Sequence, residues 1–229
     1  MWPRIARLGE DAWLVEYEPR FDAGVNAQVL ALADRIMSSH TGWVRDVVPA
    51  IASLAVHVHA DGVQPAVIEQ TLRTLASDPV ASRGAGRLHE IPVCYDPEVG
   101  MDIPAVAAWA QCPVEEVAAR HAAIEYRVFM VGFLPGFAYL GMVDPRIAMP
   151  RRDAPRVRVP AGSIGVASRQ TGIYPIESPG GWQIIGRTAM RMFDAAAPDT
   201  GVRAGDRVRF IPITVGEYAL SRSGAGLDA

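Results

Sequence analysis

From Glu125 onward, glycine and proline recur every few residues between short β-type runs: Tyr126–Val131, Val157–Val159, Ser163–Ala167, Gly181–Ile185 and Val208–Ile211. Short strands separated by turn residues at this density specify a compact β-barrel or sandwich with long structured loops. That texture limits the second half of the chain more than any other feature of the sequence.

The first part reads differently. Ile5–Leu8 and Ala12–Tyr17 are strand-like around a Gly9-Glu10-Asp11 turn. Val25, Val29, Leu32 and Ile36 repeat at helical spacing within residues 25–37, so one face of a helix is apolar. Val44–Val48 and Leu54–His59 are β-rich, and Pro65–Leu75 is a second amphipathic helix. A further strand at Leu88–Tyr95 completes an order that predicts a ferredoxin-like βαββαβ sandwich. The polar stretch from Ser77 to Arg87, with Pro79, Gly84 and Gly86, marks a domain boundary. The expected plan is thus α+β: a small domain over 1–87, a barrel domain over 88–222 and a flexible tail over 223–229. Two short helices follow the boundary, Ile103–Ala110 with Asp102 as its cap and Val114–Ala123 behind Pro113. The pair Glu115-Glu116 sits where a recognition helix would meet phosphate and argues against a helix-turn-helix.

Absences exclude several chemistries. All 22 basic residues are arginine, so the chain offers no Schiff-base lysine, no P-loop lysine and no biotinylated lysine. Its five histidines, His40, His57, His59, His89 and His121, all precede residue 122, which rules out a Ser-His-Asp triad confined to the C-terminal hundred residues. Cys94 and Cys112 form neither a metal-type pair nor a disulfide framework, and no metal site is expected. A formal charge of −3 speaks against nucleic acid. No apolar run approaches the roughly 20 residues of a membrane helix, and the N-terminus does not read as a secretory signal; a cytoplasmic location without membrane contact is expected. The charge is locally uneven, with arginines 146, 151, 152, 156, 158 and 169 set against the single acid Asp153.

The most specific residues lie between His121 and Thr188. Gly132-Phe133-Leu134-Pro135-Gly136-Phe137-Ala138-Tyr139-Leu140-Gly141 is followed by Pro150-Arg151-Arg152, Pro155-Arg156 and Val159-Pro160-Ala161-Gly162-Ser163-Ile164-Gly165. Gln170-Thr171-Gly172-Ile173-Tyr174-Pro175 comes next, and Ser178-Pro179-Gly180-Gly181-Trp182-Gln183-Ile184-Ile185-Gly186-Arg187-Thr188 ends the series. In this order the blocks resemble the family of 5-oxoprolinase B subunits, which includes allophanate hydrolase subunit 1 and the Kip-type inhibitors of sensor histidine kinases. The resemblance spans nearly the whole chain. Ala138 departs from it where the family usually has proline, and Ala167-Ser168-Arg169 where glycines are usual.

The resemblance implies a cyclophilin-like barrel and two partners, the C and A subunits of 5-oxoprolinase. The assembly would hydrolyse 5-oxoproline to glutamate at the expense of ATP, accompanied by Mg²⁺, with the nucleotide at an interface. It also leaves open a kinase-inhibiting binding module and a carboxyltransferase component of urea metabolism. Arginine suits the anions of such a reaction because its planar fork bonds carboxylate or phosphate bidentately. Arg151, Arg152, Arg156 and Arg187 are accordingly the candidate anion-binding residues. Gln170, Thr171, Tyr174 and Ser178 can supply neutral hydrogen bonds, and Phe133, Phe137, Tyr139 and Trp182 a pocket wall or interface. His121 and Glu125, four apart, share a helical face if that helix continues, and are the candidate proton-transfer pair. Ordinary structural roles compete at every one of these positions: ion pairs for the arginines, turn bonds for the polar residues, core packing for the rings and a buried, satisfied imidazole for His121.

Overall fold

The computed structural model describes residues 2–39, 41–59, 62–77, 86–197 and 201–224. The chain divides into two compact units, 1–85 and 86–229. The residues expected to form the boundary, 77–87, include 78–85, and the expected tail includes 225–229; both ranges lie outside the described residues.

The first unit contains β1 (Arg4–Arg7), β2 (Ala12–Glu16), α1 (Ala23–Ser38), β3 (Val44–Pro49), β4 (Ser53–Val58) and α2 (Pro65–Ser77). Its four strands form one antiparallel sheet in the order β1-β2-β4-β3. Two ββα units are therefore joined through their inner strands, with Trp13 opposite Val56 and Val15 opposite Leu54. The Asp22 carboxylate starts α1 by accepting from the Gly24 and Val25 amides at 2.8 and 2.9 Å. The helical stripe read from the sequence, Val25, Val29, Leu32 and Ile36, is buried with Ile68 and Leu72 of α2 against Val15, Leu54 and Val56 of the sheet.

The second unit begins with β5 (Leu88–Cys94), which corrects the expected βαββαβ sandwich. This strand does not return to the first sheet. It runs parallel to β13 (Arg207–Ile213), in register from Leu88↔Arg207 to Cys94↔Ile213. A closed seven-stranded barrel, in the order β10-β7-β6-β13-β5-β12-β9, completes the unit. Its other strands are β6 (Glu125–Val131), β7 (Ala138–Gly141), β9 (Ser163–Ala167), β10 (Gln170–Ile173) and β12 (Gln183–Arg187). A separate two-stranded sheet pairs β8 (Arg156–Val159) with β11 (Ser178–Gly180). The helices α3 (Ile103–Ala110) and α4 (Val114–Ala122) pack together, and α5 (Val215–Gly224) follows β13.

Strand alternation sorts the barrel residues onto two faces. Ala138, Leu140, Ile164, Val166, Ile173 and Ile185 join the main core with Ile91, Tyr126 and Phe210. The intervening positions look the other way. Ala167 and Ile184 belong, with Phe137, Tyr174 and Trp182, to a second apolar cluster outside the barrel, against which Tyr139 packs.

Candidate functional site

A cavity of about 320 Å³ opens over this outer cluster. Phe133, Phe137, Tyr139, Tyr174 and Trp182 supply its aromatic walls, and Arg151 and Arg152 reach it from the loop before β8. The rings meet edge to face: Phe137 lies 5.1 Å from Tyr174 and 5.6 Å from Trp182, both near 90°. Two glycines make this packing possible. Gly165 and Gly172 stand opposite each other on β9 and β10. A Cβ on Gly165 would meet the Trp182 Cβ at 2.9 Å, and one on Gly172 would meet the rings of Trp182 and Phe137 at 3.0 and 3.1 Å.

Arg151 is the cavity's open charge. Its guanidinium lies 5.7 Å from the centre of the Trp182 ring, a cation–π arrangement, and it makes no ion pair among the described residues. The neighbouring backbone is pinned on both sides. The Arg152 amide donates to the Gly181 carbonyl at 2.8 Å, and the Gln183 side chain donates to the Pro150 carbonyl at 2.9 Å. At the mouth, Phe133 is 63% exposed and holds φ = 70°. An exposed aromatic residue in left-handed backbone costs on the order of 1–3 kcal/mol, and such strain gathers at ligand-handling sites. Burial pushes the Tyr174 hydroxyl up in pKa; the Trp182 amide, bonded to it, and Arg151 oppose that shift.

Arg152 and Arg156, expected as anion-binding residues, both bind an anion of the chain itself. Both are held by Asp102, a carboxylate only 4% exposed. Arg156 binds it through both terminal nitrogens at 2.8 and 2.6 Å, Arg152 at 3.1 Å, and the Ile184 amide donates to it at 2.7 Å. Asp102 precedes α3 as expected, but its side chain makes no capping bond, because charged guanidinium donors outcompete helix amides for a buried carboxylate. Asp102 is the residue that sequence reasoning missed as a builder of the site. Its local signal, an acid before an apolar helix, indicates a cap.

The helical face on which His121 and Glu125 would have met is not formed. Helix α4 stops at Ala122 and Glu125 opens β6, so the two residues share no helical face. Glu125 bonds Arg207 and Arg209 at 2.9 and 3.0 Å. His121 is fully buried and stacked on Phe210 at 4.6 Å. The Thr171 hydroxyl donates to the Gly165 carbonyl at 2.9 Å, so it accepts from His121 Nε2, also at 2.9 Å. His121 Nδ1 is then the acceptor for the Tyr95 hydroxyl at 2.7 Å. Burial pulls the imidazole down to a pKa of about 3, leaving it a neutral core residue.

The structure thus gathers Phe133, Phe137, Tyr139, Arg151, Arg152, Tyr174 and Trp182 around one cavity. Arg156 stands behind it on Asp102, and Thr171 points into the barrel toward His121. Gln170 begins β10 and does not line the cavity; the buried Ser178 hydroxyl has no partner among the described residues. Arg187 lines a separate cavity. Among the described residues, no three His, Cys, Asp or Glu side chains gather as a metal site, and no helix is long and apolar enough to cross a membrane.

A closed barrel preceded by a small antiparallel α/β unit is an arrangement shared with known proteins. Residues 3–202 match the family described as carboxyltransferase domain, subdomain C and D, and the chain belongs to that family. Among its relatives, the 5-oxoprolinase B subunit of Bacillus subtilis (strain 168) is 38% identical over 230 residues, covering 94% of this chain and 95% of that protein. The 5-oxoprolinase B subunit of Escherichia coli O157:H7 is 36% identical over 211 residues, covering 91% and 95%. A crystal structure of the protein TTHA0988 superposes with a TM-score of 0.79 at 34% identity; it covers 88% of this chain, which spans 40% of that longer one.

Proposed function

We propose that this chain is the B subunit of an ATP-dependent 5-oxoprolinase, which opens the lactam of 5-oxo-L-proline to give L-glutamate with hydrolysis of ATP. Two relatives carrying that name match it over 95% of their own length. The observation that carries the reading at the site is the pairing of stacked aromatic walls with the one open guanidinium, Arg151. A five-membered lactam bearing a carboxylate needs apolar faces for its ring and a planar cationic fork for its acid, and the cavity offers both. Tyr139 and Trp182 would flank the ring, and Arg151 would hold the carboxylate, keeping the amide in a fixed place for activation. Walls of this kind also exclude water, which strengthens each electrostatic contact inside them.

ATP supplies the activation, since phosphoryl transfer to the amide oxygen makes the lactam a better electrophile. The described residues contain no Walker-type loop, so we assign the nucleotide with its Mg²⁺ to an interface shared with the C subunit, and the A subunit completes the assembly. The barrel is read as cyclophilin-like, and this chain as silent on its own because the reaction is divided among several chains.

The test is 5-oxoproline-dependent ATP hydrolysis by the reconstituted subunits, each omitted in turn. Activity should require this chain. In Arg151→Gln the KM for 5-oxoproline should rise about tenfold or more, as loss of a charge-assisted bond predicts, with kcat changed less. Full activity without this chain would reject the assignment to the B subunit. An unchanged KM in Arg151→Gln would reject the aromatic cavity as the substrate site.

A further inference from the structure

A second cavity, of about 280 Å³, lies elsewhere on the same unit and shares no lining residue with the aromatic one. Three segments converge on it: the end of β12 with Arg187, the loop after it with Thr188 and Arg191, and α5 with Tyr218 and Arg222. Glu177 is the only acid in its lining, and that carboxylate is engaged by Arg158 at 2.9 Å.

The donors are built into place. The Arg187 Nε donates to the Ala161 carbonyl at 2.8 Å, which fixes the guanidinium plane and leaves both terminal nitrogens without an acceptor among the described residues. Thr188, 2% exposed, accepts from the Met190 amide at 3.1 Å, so its own proton is available to donate. The Tyr218 hydroxyl is buried, with no partner in hydrogen-bond geometry. Arg187 and Arg222 act on it as nearby charges, and the Arg222 guanidinium also approaches its oxygen as a donor, so what the hydroxyl lacks is an acceptor for its own proton. An orphaned buried hydroxyl is costly unless something completes it, and the cations around it favour an acceptor that is negatively charged.

We propose that this cavity is a binding site for a phosphoryl oxyanion, with Arg187 as its principal cation, Arg222 and Arg191 (which also lies 3.6 Å from Asp194) adding positive charge, and the Thr188 and Tyr218 hydroxyls donating to its oxygens. Geometry favours a tetrahedral ligand over a carboxylate. A carboxylate offers only two oxygens, both in one plane. Here donors approach from three separate segments, which suits an anion whose oxygens point in several directions. The site stands whether or not the aromatic cavity takes 5-oxoproline.

Free phosphate and the terminal phosphate of a nucleotide share this chemistry, and titration separates them. The full chain is titrated calorimetrically at low salt with inorganic phosphate and, separately, with ATP. Saturable single-site binding is expected, weakened about tenfold or more in Arg187→Gln, the loss expected for a bond to a charged group. Tyr218→Phe keeps the buried ring and should weaken binding severalfold with an unchanged unfolding temperature. Arg169→Gln, which removes an exposed arginine outside the cavity, should bind as the parent does. Binding of phosphate assigns the site to the free anion. Binding of ATP alone, with the same variant pattern, assigns it to a nucleotide phosphate. No saturable binding of either probe, or equal weakening in Arg169→Gln and Arg187→Gln, overturns the proposal.

Discussion

Arg156 grips Asp102 through both terminal nitrogens, at 2.8 and 2.6 Å, and this buried fork ties β8 to the start of α3 beneath the aromatic cavity. The Asp102 side chain is 5% exposed and that of Arg156 20%, so the carboxylate cannot fall back on water. Stranding one partner of a buried pair costs about 3–5 kcal/mol, but Arg152 and the Ile184 amide stay on Asp102, so losing the fork costs less, about 1–3 kcal/mol. Arg156→Ala should therefore lower stability by that order, and Arg156→Lys should recover only part of it because an ammonium cannot reproduce the fork. Urea unfolding of the isolated chain measures both. An Arg156→Ala variant as stable as the parent would show that the pair does not hold the cavity floor.

His121 supplies a pH prediction with a definite sign. Its folded pKa of about 3 lies below the ordinary 6.5. Above pH 6.5 the imidazole is neutral whether the chain is folded or not, and contributes no pH dependence. Below 6.5 the unfolded chain takes up a proton that the buried ring refuses, and stability falls by up to ~1.4 kcal/mol per pH unit as pH drops toward 3. His121→Gln should be less stable at pH 7.5, having disturbed the bonds to Tyr95 and Thr171, but should lose this share of the acid sensitivity. Unfolding curves at pH 7.5, 6.0 and 5.0 compare the two slopes; identical slopes would remove His121 as the titrating group.

What the sequence discloses, and what it withholds, follows from the range of the interactions. The stripe Val25, Val29, Leu32 and Ile36 is a local pattern, and all four residues are buried on α1. The cavity rings Phe133, Phe137, Tyr139, Tyr174 and Trp182 are legible because their motif blocks are local too. Asp102 is not legible as the partner of Arg152 and Arg156, since those residues lie 50 and 54 positions further on. The same limit misplaces β5, because alternation reveals a strand but not which sheet takes it, and its parallel partner is β13. One finer signal does lie in the sequence. In Gln170-Thr171-Gly172-Ile173 the period of two sends Thr171 and Ile173 inward and Gly172 outward, which separates Thr171 from the aromatic residues grouped with it.

The turn between β9 and β10 can be improved. Ala167 pairs with Gln170, leaving Ser168-Arg169 as a two-residue connection, and Ser168 holds φ = 52°. A positive φ at the first central position is where such hairpin turns favour glycine, and glycine is the residue more usual in this segment of the family. Left-handed backbone costs a side-chain-bearing residue about 1–2 kcal/mol, offset in part by the greater freedom glycine has when unfolded. Ser168→Gly should stabilise the chain by a few tenths to about 1 kcal/mol. Thermal unfolding checks the sign, and a lower midpoint would mean that the serine side chain contributes more than its backbone costs.

Gly172 tests whether the aromatic cavity depends on space made by a missing side chain. A Cβ there would press on the Ala138 carbonyl at 3.0 Å as well as on the Trp182 and Phe137 rings. The carbonyl belongs to the paired strand β7 and cannot retreat without breaking the ladder, so the rings must move. Overpacking of this kind costs about 1–3 kcal/mol. Gly172→Ala should therefore lose stability in that range, shift the fluorescence of Trp182, which is 5% exposed in the parent, and raise the KM for 5-oxoproline in the assembled enzyme. The control is Gly132→Ala, where an added Cβ meets nothing within 4 Å and φ is not left-handed. If Gly172→Ala kept the parent's stability, fluorescence and KM, the wall would be pliant enough to absorb a methyl group. The close fit of Gly172 beneath Trp182 would then have no part in shaping the cavity.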